Sequence, residues 1–167
     1  MTIDISVACD CWERGLCRPC PINPLILSSI GVRRDWQAVL PGIDNYETVR
    51  KEFQSWKDTA CDHLYGKAYI FTLGPPDVLS RIATDINSID ENATQLVRTL
   101  NYVAFTLYCI SGTDDAKWFS KEAAEILATG KLSDTQPLGE VSTHAAVIAI
   151  AKGSETSIKY SKPIIWY

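Results

Sequence analysis

The chain has 167 residues, 16 Lys+Arg against 20 Asp+Glu, and a formal charge of −4. That length suits a single domain spanning 1–167, which would bury roughly 70% of its unfolded surface and need no disulfide or metal merely to fold. An apolar fraction of 46% with 22% charged residues excludes a disordered or fibrous chain. Mild acidity without a clustered basic face argues against general nucleic-acid binding.

In chain order, the opening Met1-Thr2-Ile3-Asp4 has no basic start of a signal peptide and carries an acid in what would be its apolar stretch. Ile3, Ile5 and Val7 alternate with polar residues and predict a strand. From Cys9 to Pro24 come four cysteines, Gly15 and three prolines, which read as a loop. Leu25 to Leu27 fits a short strand. Asp44 and Glu47 have capping-box spacing, and Tyr46, Val49, Phe53, Trp56 and Ala60 continue as one apolar helical stripe. Lys67 to Leu73 predicts a strand stopped by Gly74-Pro75-Pro76, and Pro76 then opens a helix with Leu79, Ile82, Ile86 and Ile89 facing inward.

The stretch 93–110 has helical spacing at Leu96, Leu100, Val103 and Leu107, yet its Val, Thr, Tyr and Phe content favours strand. Ser120 to Thr129, closed by Gly130, predicts a short helix. From Ser142 to Tyr160 the pattern fits either a hairpin or a helix in which Gly153 is a tolerated weak point costing roughly 1 kcal/mol. Ile164 to Tyr167 reads as a terminal strand able to pair with the first. The class expected is α+β: a small, mainly antiparallel sheet packed against three to five helices. The longest apolar run, Ala145 to Ala151, is far below the ~20 residues of a membrane-spanning helix, so the cytoplasm is the expected compartment, where cysteines are thiols or metal ligands.

Two clusters carry candidate chemistry. Cys9, Cys11, Cys17 and Cys20 can supply four thiolates to a structural Zn²⁺; ordinary reduced thiols, some buried as small apolar groups, fit the same residues. Cys61-Asp62-His63 can join a thiolate of that loop in a metal or catalytic pair, with Cys11 and His63 the natural partners across the chain. The simpler account is a histidine at a helix C-terminus. Asp114 and Asp115 fit a Mg²⁺ site or an ordinary turn and cap. No phosphate-cradling glycine loop, nucleophile elbow or His-Glu-x-x-His pair occurs. Trp12, Trp36 and Trp118 stand in loop-like, polar surroundings and suit interface anchors.

Ile5 to Gly15, with its Cys-Asp-Cys and aromatic residue, resembles the start of a group of uncharacterised bacterial proteins. Trp56 with Ala60-Cys61-Asp62-His63 and Gly66 resembles their second motif; Leu107-Tyr108 with Ser111-Gly112-Thr113, and Lys162-Pro163-Ile164-Ile165, resemble a third and fourth. The resemblance implies an α+β fold whose last helix runs directly into the Pro-Ile strand, and so favours the helix before Pro163; it implies no activity. Cys17 and Cys20 depart from the group's Pro-rich, cysteine-free segment, and Asp114 stands where its members have His.

Three functions are compatible with these features. The leading expectation is a small acidic, non-enzymatic immunity or inhibitor protein that neutralises a basic toxin domain, with Trp12, Trp36, Trp118, Asp114 and Asp115 at the partner surface. The alternatives are a zinc-stabilised interaction module and a thiol- or metal-dependent enzyme using Cys11, Cys61 and His63.

Overall fold

In the computed structural model, which describes residues 1–19, 46–132 and 139–167, the alternation of the first residues becomes strand β1 (Ile3–Ala8). Its β-branched Ile3, Ile5 and Val7 are wholly buried, as period-2 spacing requires of one face of a sheet. β1 pairs antiparallel with β2 (Lys67–Gly74) on one side and with β4 (Ile164–Trp166) on the other. β4 also pairs antiparallel with β3 (Cys109–Ser111), for a sheet order β2-β1-β4-β3. The expected pairing of the first and last strands is therefore present. Asp4 and Tyr167 exchange both backbone hydrogen bonds, at 2.7 and 3.1 Å, beyond the end of β4.

The chain divides into two compact units, one of Met1–Asp10 with Lys67–Tyr167 and the other of Cys11–Gly66. The first holds the sheet and four helices: α2 (Pro76–Ile89), α3 (Thr94–Thr106), α4 (Thr113–Ala128) and α5 (Thr143–Tyr160). The second contains α1 (Tyr46–Thr59) and a 3₁₀ turn, Leu64–Gly66. The expected cap at Asp44 and strand at 25–27 lie outside the described residues. No described helix is long and apolar enough to cross a membrane.

The ambiguous stretch 93–110 is α3 followed by β3. Leu96, Leu100 and Val103 point into the core at helical spacing, whereas the strand-favouring Tyr102 and Phe105 lie exposed. Burial of the apolar stripe outweighs the weak β preference of residues with little to pack against. The N-cap of α3 is Ala93, which has no side-chain oxygen to offer. Glu122 of α4, 6% exposed, supplies the cap from across the core: its carboxylate accepts the N–H groups of Gln95 at 3.2 Å and Leu96 at 2.8 Å. A negative charge there also meets the positive end of the α3 dipole.

α4 begins at Thr113 rather than Ser120, which corrects the sequence expectation. Gly112 donates its N–H to the Asp115 carboxylate at 2.9 Å, and Asp114 and Asp115 both lie in the first turn, so the residues read as a turn start the helix. Gly130, at φ 64, follows its end as expected.

α5 is one helix from Thr143 to Tyr160, capped where Ser142 Oγ accepts the Ala145 N–H at 3.1 Å. Its buried face joins Val147 and Ile150 to small residues, Ala146, Ala149, Gly153, Ser154 and Ser157. Gly153 is not a tolerated weak point. A Cβ at that position would sit 3.1 Å from Ile5 Cδ1 and 3.3 Å from the Tyr69 ring, so the absent side chain lets the helix lie close against β1 and β2, and an added methyl group would make Ile5 and Tyr69 give way. At the far end of the sheet, Trp166 is fully buried, donates its indole N–H to Ser111 Oγ at 3.0 Å, and meets Phe119 edge-on at 6.1 Å.

Glu122→Ala is expected to lower stability by about 2–3 kcal/mol, because two helix N–H groups lose a charged partner. A urea unfolding curve measures this, and a loss under about 0.5 kcal/mol would remove the cap from the account. For Gly153→Ala, roughly 1 kcal/mol of gained helix propensity opposes overpacking of about 1–3 kcal/mol against fully buried Ile5. The expected result is a net loss, larger for Gly153→Val; an alanine variant that melts above the parent would refute the close-packing account.

Burial raises the Tyr69 hydroxyl from 10.0 to about 12. The folded state thus holds a proton that the unfolded chain releases first. Its stabilising contribution is complete below pH 10 and is lost as pH rises toward 12. Relative to Tyr69→Phe, the parent should lose stability across that window; parallel pH profiles would disprove the linkage.

Candidate metal centre

The geometry of the second unit begins with a short turn that its own backbone closes. Leu16 donates to the Cys11 carbonyl at 2.8 Å and Gly15 to the Trp12 carbonyl at 3.1 Å, the bond pair of a Schellman closure, with Gly15 at φ 66 in the left-handed position. Next, the chain is held to the end of α1. The Arg18 N–H donates to the Ala60 carbonyl at 2.7 Å, the Trp56 indole N–H to the Arg18 carbonyl at 2.9 Å, and the Arg18 guanidinium to the Thr59 carbonyl. Trp12 packs edge-on against Trp56, ring centroids 5.5 Å apart. These contacts bring Cys11, at the start of the unit, beside Cys61 and His63, which follow the end of α1.

Cys11 Sγ lies 3.2 Å from His63 Nδ1, and Cys61 Sγ lies 3.9 Å from the same nitrogen. Cys9 stands two residues before Cys11, so the covalent chain carries its thiol to the same neighbourhood. The ligand atoms of Cys9, Cys11, Cys61 and His63 all fall within 4.8 Å of one another. Cys11 is buried at 5% exposure and the other three are half-buried. This Cys₃His cluster can hold a metal ion such as zinc. A tetrahedral Zn²⁺ with Zn–S near 2.3 Å and Zn–N near 2.05 Å needs ligand separations of about 3.5–3.8 Å, and the sulfur–nitrogen distances of 3.2 and 3.9 Å bracket that range.

Of the four cysteines read as zinc ligands, Cys9 and Cys11 belong to this cluster. Cys17 is not among its members, and Cys20 lies outside the described residues. Cys61 and His63 complete the set instead. Their Cys-x-His spacing marks them in the sequence as candidates, with Cys11–His63 the more plausible pair across the chain, beside the simpler account of a histidine at a helix end. The choice between Cys17 with Cys20 and Cys61 with His63 depends on backbone contacts such as Arg18 to Ala60, which no spacing rule supplies.

The residues read as a partner surface are dispersed in kind. Trp12 is 59% exposed despite its contact with Trp56. Trp118, 53% exposed, lies on helix α4 rather than in a loop, with the Lys121 ammonium 5.6 Å from its ring centre. Asp114 accepts a hydrogen bond from Lys117 at 2.7 Å, and that bond and the neighbouring charge hold its carboxyl below the usual carboxylate range. Asp115 is engaged in capping α4. One acid thus pairs with a lysine and the other serves the backbone, an ordinary helix start rather than a Mg²⁺ pair. Trp36 lies outside the described residues.

No protein-family model, no curated protein and no solved structure matches the chain, so the site is read from its own geometry.

Proposed function

We propose that this chain is a small, non-enzymatic interaction module stapled by zinc, with Cys9, Cys11, Cys61 and His63 as the ligands. The observation that carries the reading is the convergence of three sulfurs and one imidazole nitrogen within 4.8 Å. Soft thiolates with one imidazole suit Zn²⁺ in a closed structural site. Among its described residues the second unit is held by the backbone and aromatic contacts around Arg18, Trp12 and Trp56, and a metal cross-link would add to them. Metal bound by ligands near both ends of Cys11–Gly66 would convert binding free energy into folding free energy. It would also fix the turn that presents Trp12 to solvent, a large aromatic suited to a protein partner.

A Cys11–His63 catalytic pair is less well supported by the same distances. A nucleophile must be reached by its substrate, and Cys11 is 5% exposed; a dyad also leaves the two further thiols without a role.

The acidic-inhibitor reading keeps independent support from the charge of −4 and from Trp118 beside the exposed Asp114 on α4. Acidic side chains would steer a basic partner such as a toxin nuclease domain, and the aromatic would anchor it.

Protein purified without a metal-binding tag is expected to carry about one zinc per chain, measured by elemental analysis. Less than about a tenth of an equivalent after refolding with zinc would end the reading. The double variant Cys61→Ser with His63→Ala should lose the metal and become open to proteolysis within 11–66, while the buried Trp166 keeps its native fluorescence. For the inhibitor reading, affinity capture from the native host should recover a basic partner in stoichiometric amount, and Trp118→Ala should weaken that capture; recovery of the chain alone would count against it.

A further inference from the structure

We infer that Cys11 and Cys61 are an oxidisable ligand pair, so that a hydroperoxide converts them to a disulfide and expels the metal. The inference rests on the zinc reading above and adds a regulation of that same site. Both sulfurs face one atom, His63 Nδ1, at 3.2 and 3.9 Å, and lie within 4.8 Å of each other. A disulfide needs about 2.05 Å between sulfurs, a gap that side-chain rotation closes once the oxidised Cys61 sulfur no longer binds the metal. The backbone hydrogen bond from Arg18 to Ala60 and the Trp56 indole bond to the Arg18 carbonyl keep the two chain segments together meanwhile. Cys9 is a poorer partner for Cys11, since a Cys-x-Cys bridge closes a small strained ring.

Exposure sets the order of events. Cys61 is half-buried and open to a small oxidant, whereas Cys11 is buried. The Cys61 thiolate attacks one peroxide oxygen, forming the sulfenic acid and releasing hydroxide. The Cys11 thiolate then attacks that sulfur, the S–S bond forms, and a second hydroxide leaves. Two thiolates have given up two electrons, and the peroxide has become two hydroxides, protonated to water. Zn²⁺ retains Cys9 and His63 alone, too few ligands for a stable structural site, and departs.

The test uses the full zinc-loaded chain, its metal content measured first, then treated with hydrogen peroxide in the presence of a chromogenic zinc chelator. Expected are release of about one zinc per chain with loss of two thiols, a Cys11–Cys61 cross-link in the peptide mass map, and recovery on adding dithiothreitol and zinc. Cys17→Ser should release zinc at the parental rate. Retention of zinc under peroxide overturns the inference and leaves the zinc reading intact. Release with Cys61 as sulfinic acid, or with a different cross-link, also overturns it. A chain without zinc before treatment refutes the metal reading itself, and the mass map of the oxidised chain still reports whether Cys11 and Cys61 join.

Discussion

The pairing of the first strand with the last organises the larger of the two units. β1 lies inside the sheet, hydrogen-bonded to β2 on one edge and β4 on the other, and its Ile3, Ile5 and Val7 form one face of the core. β2 comes from the middle of the chain and β4 from its end, so neither hairpin turns nor local contacts can assemble this sheet. It closes only when the C-terminal strand arrives, and β3, three residues long, has β4 as its partner. Long-range pairing of this kind carries a loop-closure cost that must be met before the strand contacts form.

Helix α5 meets that sheet by close approach at Gly153. Small residues along α5 and the missing side chain at Gly153 let the helix backbone settle onto Ile5 and Tyr69. Dense packing of this sort has little room for an added methyl group. Elsewhere a gap in local chemistry is filled from a distance: α3 begins at an alanine, and the carboxylate of Glu122 on another helix serves the N–H groups that the alanine leaves. A buried glutamate is costly when unpaired, and here two backbone donors compensate it.

The second unit follows a different rule. Its described residues are joined by a set of specific contacts: the closed turn after Cys11, the hydrogen bonds around Arg18, and the Trp12–Trp56 pair. They converge on the thiols and imidazole of Cys11, Cys61 and His63. A cross-link at that point of convergence would tie the two ends of the unit together, which is what would make metal occupancy and thiol oxidation consequential there.

Much of the fold was legible in particular residues. The alternation at Ile3, Ile5 and Val7, Pro76 at a helix start and Gly130 after a helix end each specify a local element, because their physics acts within one turn or one strand. Other elements were misjudged where the deciding partner is near but polar, as at the start of α4, where Asp115 reaches back to Gly112. At 93–110 propensity and periodicity conflict, and burial of Leu96, Leu100 and Val103 in a core shared with the neighbouring helices settles it. By itself the sequence determined the α+β class, the pairing of strands at both termini, and the thiols and histidine from which a metal site can be built. The tertiary structure decided that Gly153 is a packing requirement, that Glu122 caps a distant helix, and that Cys9 and Cys11 meet Cys61 and His63. Each of those depends on atoms far apart in the chain coming within a few ångströms, and residue spacing along the chain does not encode such a meeting.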